Sequence, residues 1–233
     1  MWSFHRKLAA TCILGAGLAW APGAHADPLE ATGFAVGSEP ITFTSPGFVL
    51  GSGSTVNAGA FNLNPPAGVT AYCIDIFHTL SFGTLYSDYT ATSLAADTGL
   101  TAARKAEIAQ LFHGFYSASL TSATNSAAFQ LALWEIAFES TSTSLEVDGA
   151  SSNKGSTYAT GPDGSGSVIA IADSWLAGLG SFSTDLNGLT TYRSSGGHQG
   201  LIGYHPVPEP ATLVMLVAGL GLLVFVARRR LKA

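Results

Sequence analysis

Val69-Thr70-Ala71-Tyr72-Cys73-Ile74-Asp75-Ile76-Phe77 is the stretch on which the fold turns. It is rich in β-branched and aromatic residues. Its alternation sends Tyr72, Ile74 and Ile76 to one face and Ala71, Cys73, Asp75 and Phe77 to the other, the period of a strand. Upstream, Ile41, Phe43 and Phe48 to Leu50 read as short strands around Pro46-Gly47, and Val56 to Leu63 as another that ends at Pro65-Pro66. Downstream the period changes. Ile108, Leu111, Phe112 and Phe115 recur at helical spacing between Thr101 and Tyr116, with Arg104, Lys105 and Glu107 on the exposed turn. Ser126 is a plausible N-cap for a helix over 127–138 that is apolar on nearly every side and must therefore be buried. A third helix is expected over about 168–179, beyond a long Gly/Ser-rich loop at 149–166. Strands first and helices afterwards predict an α+β class, with β-strands in the N-terminal half packed on a helical portion. A β-rich sandwich with helical insertions is the alternative.

The two ends read differently from this middle. Met1 to Lys7 carries Arg6 and Lys7, an apolar run follows from Leu8 to Trp20, and Ala24-His25-Ala26 is a small-x-small site: a secretory signal peptide over 1–26, leaving Asp27 as the first mature residue. Cys12 departs with it. At the other end Ala211 to Ala227 is wholly apolar and closes on Arg228, Arg229 and Arg230. At 1.5 Å per residue this helix covers about 25 Å, enough to enter a ~30 Å hydrocarbon core with snorkelling arginines as the cytoplasmic stop. The chain therefore divides into a signal peptide at 1–26, an extracytoplasmic domain at 27–206, and a tail with a single transmembrane helix at 207–233.

All fifteen acidic residues lie between Asp27 and Glu209, whereas six of the ten basic residues sit in the terminal segments. The exported part keeps only Arg104, Lys105, Lys154 and Arg193 against them. So acidic a surface repels phosphate backbones, which excludes nucleic acid as a partner.

Pro208, Glu209 and Pro210, followed by the apolar stretch and the arginine run, resemble the PEP-CTERM sorting signal of Gram-negative bacteria that make extracellular polysaccharide. The resemblance implies that an exosortase recognises the tail and cuts near the motif. The mature domain is then fixed at the cell surface or released, with signal peptidase and exosortase as its processing partners and the membrane as its transient one.

With the signal gone, Cys73 is the one cysteine left in a protein bound for an oxidising compartment. Four readings stand: an inert buried thiol, a disulfide to another chain, a hydrolase nucleophile, or a sulfur bonded to another side chain. Gln130, on the buried helix in Phe129-Gln130-Leu131-Ala132-Leu133-Trp134-Glu135-Ile136, is a second oddity. An unpaired amide there costs a few kcal/mol, so a specific partner is expected, the plain one being the backbone. Trp134, four residues on, shares its face and shields it. Asp75 and His78 follow Cys73 closely, and a proton-steering role stands beside plainer readings as a solvated acid and a loop histidine. His113, His198 and His205 have no metal-ligand spacing, and no cofactor is expected.

Taken together, Tyr72-Cys73-Ile74-Asp75 and the Gln130-to-Trp134 segment resemble the paired motifs of bacterial thioester domains, found in Gram-positive surface adhesins and chemically analogous to complement thioesters. The resemblance covers about residues 69–138. It implies a bond between the Cys73 sulfur and the Gln130 acyl carbon, with Tyr72, Asp75 and Trp134 around it. An amine or hydroxyl on a surface protein or polysaccharide would displace Cys73 in a single covalent capture, so the chain is expected not to be an enzyme. The alternatives are a non-covalent structural or carbohydrate-interacting matrix protein, and a cysteine hydrolase, for which no nucleophile elbow is present.

Overall fold

The computed structural model describes residues 26–139, 144–161 and 166–205. Nine strands and three helices fall within them: β1 (Asp27–Phe34), β2 (Glu39–Thr44), β3 (Ser54–Ala58), β4 (Phe61–Leu63), β5 (Val69–Cys73), β6 (Leu85–Ser93), α1 (Ala102–Ser119), α2 (Ala123–Phe138), β7 (Tyr158–Thr160), α3 (Gly166–Gly178), β8 (Leu189–Ser194) and β9 (Leu201–Tyr204). Six strands close into an antiparallel barrel in the order β1-β4-β5-β9-β8-β6, and β6 pairs back onto β1. A second sheet, β3-β2-β7, stands apart from it.

The mixed, β-rich character agrees with the expected class, but strands are not confined to the N-terminal half. β7, β8 and β9 come after the helices, and β8 and β9 complete the barrel. Closure removes the open edges that a six-stranded sheet would otherwise expose. The single strand expected over Val56 to Leu63 is two, β3 and β4, in different sheets. The break falls at Gly59, whose φ is +159° and where a Cβ would stand 2.8 Å from the Gly37 carbonyl oxygen. Only glycine lets the two segments pass this closely. Phe48 to Leu50 forms a turn rather than a strand.

β5 stops at Cys73 instead of running on to Phe77. The cause is local: the Phe77 N–H donates to Asp75 Oδ1 at 2.8 Å, an Asx turn that bends the chain out of the sheet.

The helices lie close to their expected positions. Thr101 caps α1 by accepting from the Arg104 N–H, and Ser122, not Ser126, caps α2 by accepting from the Asn125 N–H. Ser126 lies one turn inside α2, buried, where its Oγ accepts the Ala60 N–H at 2.8 Å and ties the helix to the chain just before β4. From Ser126 to Ala137 every residue of α2 is buried. It is the central rod of the core, with α1 and α3 beside it and the edge of β5 against it.

Among the described residues no helix is long and apolar enough to cross a membrane. The expected signal peptide up to His25 and the expected spanning tail, with Pro208, Glu209, Pro210, Arg228, Arg229 and Arg230, lie outside the described residues.

Candidate functional site

The end of β5 and the middle of α2 meet at Cys73 and Gln130. On one side Cys73 is paired with Leu201 of β9; on the other, β4 reaches only as far as Ala71. That leaves the Cys73 N–H and C=O facing the interior, where unpaired backbone groups are costly. The Gln130 carboxamide fills the missing place. Its Oε1 accepts the Cys73 N–H at 2.9 Å and its Nε2 donates to the Cys73 carbonyl at 2.8 Å. One side chain thus continues the strand pairing, and both residues are almost wholly buried.

The thiol is held as well. Cys73 Sγ donates to the Asp75 carbonyl at 2.8 Å and lies 3.4 Å from the Asp75 N–H. Burial pushes its pKa up to about 12, against smaller lowering effects from the Asp75 backbone and from Trp134. Cys73 forms no disulfide. The Trp134 indole packs on Phe43, ring centroids 4.7 Å apart, and its N–H is near enough to favour the thiolate but has no acceptor in hydrogen-bond geometry. A buried indole N–H without a hydrogen-bond partner among the described residues is uncommon.

A cleft of about 230 Å³ opens from the surface onto this pair. Cys73, Gln130 and Trp134 are among its lining, and Phe34, Phe61 and Phe82 form an aromatic wall with centroids 5.1 to 5.6 Å apart. Val49, Leu50 and Phe82 remain exposed at the mouth.

The other expected residues divide. Tyr72 does not line the cleft. It points into the helical core, packs on Phe129 with tilted rings 4.4 Å apart at their centroids and donates to Ser119 Oγ at 2.7 Å, and burial raises its pKa strongly. Its role here is to fix β5 against α1 and α2. Asp75 lies at the bend rather than on the strand face expected for it. Its carboxylate accepts from the Phe77 N–H, from the Gly200 N–H at 3.2 Å, and pairs with His78 Nδ1 at 2.7 Å. It faces a neighbouring cleft that also contains Arg104 and Arg193, and His78 lines both clefts.

Sequence reasoning missed Gln199, which lines the cleft and donates from Nε2 to the Asp75 carbonyl at 3.2 Å. It sits in the β8–β9 connection, and only barrel closure brings it to Cys73. Glu135 was missed too. Fully buried on α2, it accepts the Glu146 N–H through Oε1, while Oε2 has no hydrogen-bond partner among the described residues. Burial, reinforced by the nearby Glu139, Asp173 and Glu146 charges, raises its pKa to about 8. Among the described residues no cluster of His, Cys, Asp or Glu is arranged to hold a metal ion.

No curated protein and no solved structure matches the chain. Residues 206–230 match the family model of the PEP-CTERM protein-sorting motif, beginning one residue beyond the last described position. That match identifies the chain as an exported protein bearing a PEP-CTERM sorting motif, a substrate of exosortase directed to the cell envelope or surface.

Proposed function

We propose that Cys73 and Gln130 of the exported domain condense to an internal thioester, and that the domain uses it to fix itself covalently to a nucleophile on a surface protein or polysaccharide. The observation that carries this reading is the two-point hold of the Gln130 carboxamide on the backbone of Cys73, the residue whose thiol would attack it. The Cys73 N–H already donates to the oxygen on which negative charge would develop, as an oxyanion donor must. Nε2, the atom that would leave as ammonia, is directed at the Cys73 carbonyl.

Magnitudes decide whether such a thiol can react. With a pKa of about 12 only ~10⁻⁵ of it is thiolate at pH 7, whereas effective molarities of well-oriented intramolecular reactions reach ~10⁵–10⁸ M. Positioning offsets the scarcity of thiolate, for one slow turnover. The same burial leaves the cleft as the route for water, which would hydrolyse the product. A hydrolase, which needs a standing supply of thiolate, is the poorer fit. Capture is stoichiometric: the target's nucleophile takes the Gln130 acyl group and Cys73 returns to a free thiol.

The test is the intact mass of the signal-cleaved protein. The expected result is a deficit of one ammonia in the wild type, absent from Cys73→Ala and Gln130→Ala. A wild type at full mass overturns the reading.

A non-covalent matrix protein is the second reading, favoured by the fact that both polar atoms of Gln130 are already satisfied by backbone. It predicts a titratable thiol in the unfolded wild type at the full molar amount.

A further inference from the structure

We propose that a groove over Arg193 binds a uronic acid unit of a polysaccharide, with the sugar carboxylate on the guanidinium and the sugar ring against Phe77. The site is separate from the Cys73–Gln130 pair and stands whether or not the thioester forms.

Two clefts meet at Arg193. The one that Asp75 faces, of about 420 Å³, and a second of about 340 Å³ both have Gly99 and Arg193 in their walls, so they run together across the guanidinium as one groove. Arg193 Nε donates to Asp97 Oδ2 at 3.0 Å, and neither Nη nitrogen forms a hydrogen bond among the described residues. Both positions from which a side chain would cover them are glycine: a Cβ at Gly200 would stand 3.1 Å from Nη1, and one at Gly99 3.4 Å from Nη2. The Arg193 side chain is 37% exposed, and its free Nη pair has the fork geometry that grips a carboxylate through two parallel hydrogen bonds.

Charge selects an anion, and one of a particular spacing. Arg104 and Arg193, two of the four basic residues of the exported domain, line the groove. Arg104 donates to the Ala137 and Glu139 carbonyls at the end of α2, so it contributes charge rather than a contact. The two carboxylates in the walls are engaged: Asp75 by His78 and by the Phe77 and Gly200 N–H groups, Asp97 by Arg193 and the Gly99 N–H. The rest of the domain is acidic and repels a chain charged at every unit. A chain whose carboxylates alternate with neutral units meets less repulsion, because exposed charges more than ~8 Å apart are largely screened at physiological salt.

The walls beside the guanidinium suit a sugar. Phe77 is 48% exposed and is held at right angles to Phe138, ring centroids 5.6 Å apart, which offers a fixed apolar surface to the C–H face of a sugar ring. Thr92 and Thr98 in the second cleft supply hydroxyls to its polar edge. An acidic peptide would draw its main-chain hold from an unpaired strand edge, and β8, which carries Arg193, is paired on both sides, with β6 and with β9. A groove formed by two joined clefts accommodates an internal unit of a polymer.

The experiment titrates the signal-cleaved protein calorimetrically at physiological salt with a hyaluronan hexasaccharide, in which glucuronate alternates with a neutral sugar, with its methyl ester, and with a Gly-Gly-Glu repeat peptide. Saturable binding of the acid is expected, with the ester about 10- to 100-fold weaker. Arg193→Lys keeps a cation beside Asp97 but loses the fork, and should weaken binding about tenfold. Gly99→Ala leaves the ion pair in place, sets a methyl group against Nη2 and should weaken binding likewise, so a loss in either variant with an unchanged thermal melt supports the site. Phe77→Ala should weaken the ester and the acid by the same factor, about fivefold. Lys154→Gln, outside the groove, should bind as wild type does. Absence of saturable binding, an ester that binds as tightly as the acid, or full affinity in both Arg193→Lys and Gly99→Ala overturns the inference. A loss in Lys154→Gln equal to that in Arg193→Lys overturns it in favour of diffuse charge, and a peptide that binds as tightly as the hexasaccharide overturns it in favour of a protein partner. The intact mass of the same samples reads the thioester separately, so either proposal can fail alone.

Discussion

Gln130 and Glu135 lie five residues apart on the same buried helix, and the structure treats them in opposite ways. The amide of Gln130 meets a complementary N–H and C=O on Cys73, and both of its polar atoms are satisfied. The carboxyl of Glu135 accepts one N–H and has no second hydrogen-bond partner among the described residues, and burial raises its pKa to about 8. Burial alone therefore does not mark a functional polar residue in this core. What distinguishes Gln130 is that a strand ends opposite it with its backbone unpaired, and that this strand end carries the thiol.

The sharpest way to break that contrast is Gln130→Ala. It strands two buried backbone groups and opens a cavity, and a loss of about 4 kcal/mol is expected by urea denaturation. A loss under about 1 kcal/mol would mean that the pairing is dispensable. Glu135→Gln tests the other side. The folded-state pKa of Glu135 is raised above its unfolded value, so its contribution is fully present below about pH 4 and is lost as pH rises through about 8. The variant should match wild type at pH 4 and exceed it at pH 9 by on the order of 2–3 kcal/mol, read from thermal melts at the two pH values.

Smaller effects should follow Gln130, since the groups involved are likewise partnered. Ser126→Ala leaves the Ala60 N–H without an acceptor and is expected to cost about 2 kcal/mol. Tyr72→Phe removes one hydroxyl bond to Ser119 while keeping the ring on Phe129, for about 1 kcal/mol, measurable in the same denaturation series.

Local pattern carried the sequence reading as far as single elements. The spacing of Ile108, Leu111, Phe112 and Phe115 gave α1, and the unbroken apolarity around Gln130 gave a buried α2. The position of Cys73 on a strand was legible for the same reason. The barrel was not. In β6 only Tyr89 is buried, and β8 and β9 are short and flanked by Gly and Ser, so neither shows an apolar period of its own. Their pairing is decided by partners far along the chain: β6 with β1 and β8, β9 with β5. His78 was noticed only as a neighbour of Cys73 in sequence. Its link to the cleft runs through Asp75, whose second anchor, the Gly200 N–H, becomes visible only once β9 lies beside β5.

Barrel closure has a consequence for the order of maturation. β1 begins at Asp27, directly after the expected signal cleavage site, and one residue, His205, separates β9 from the sorting-motif match. Since Asp27 is already in register with Tyr89, a finished barrel leaves almost no free chain between its first strand and the expected front cleavage site. Trimming at the front should therefore precede the pairing of β1 with β6.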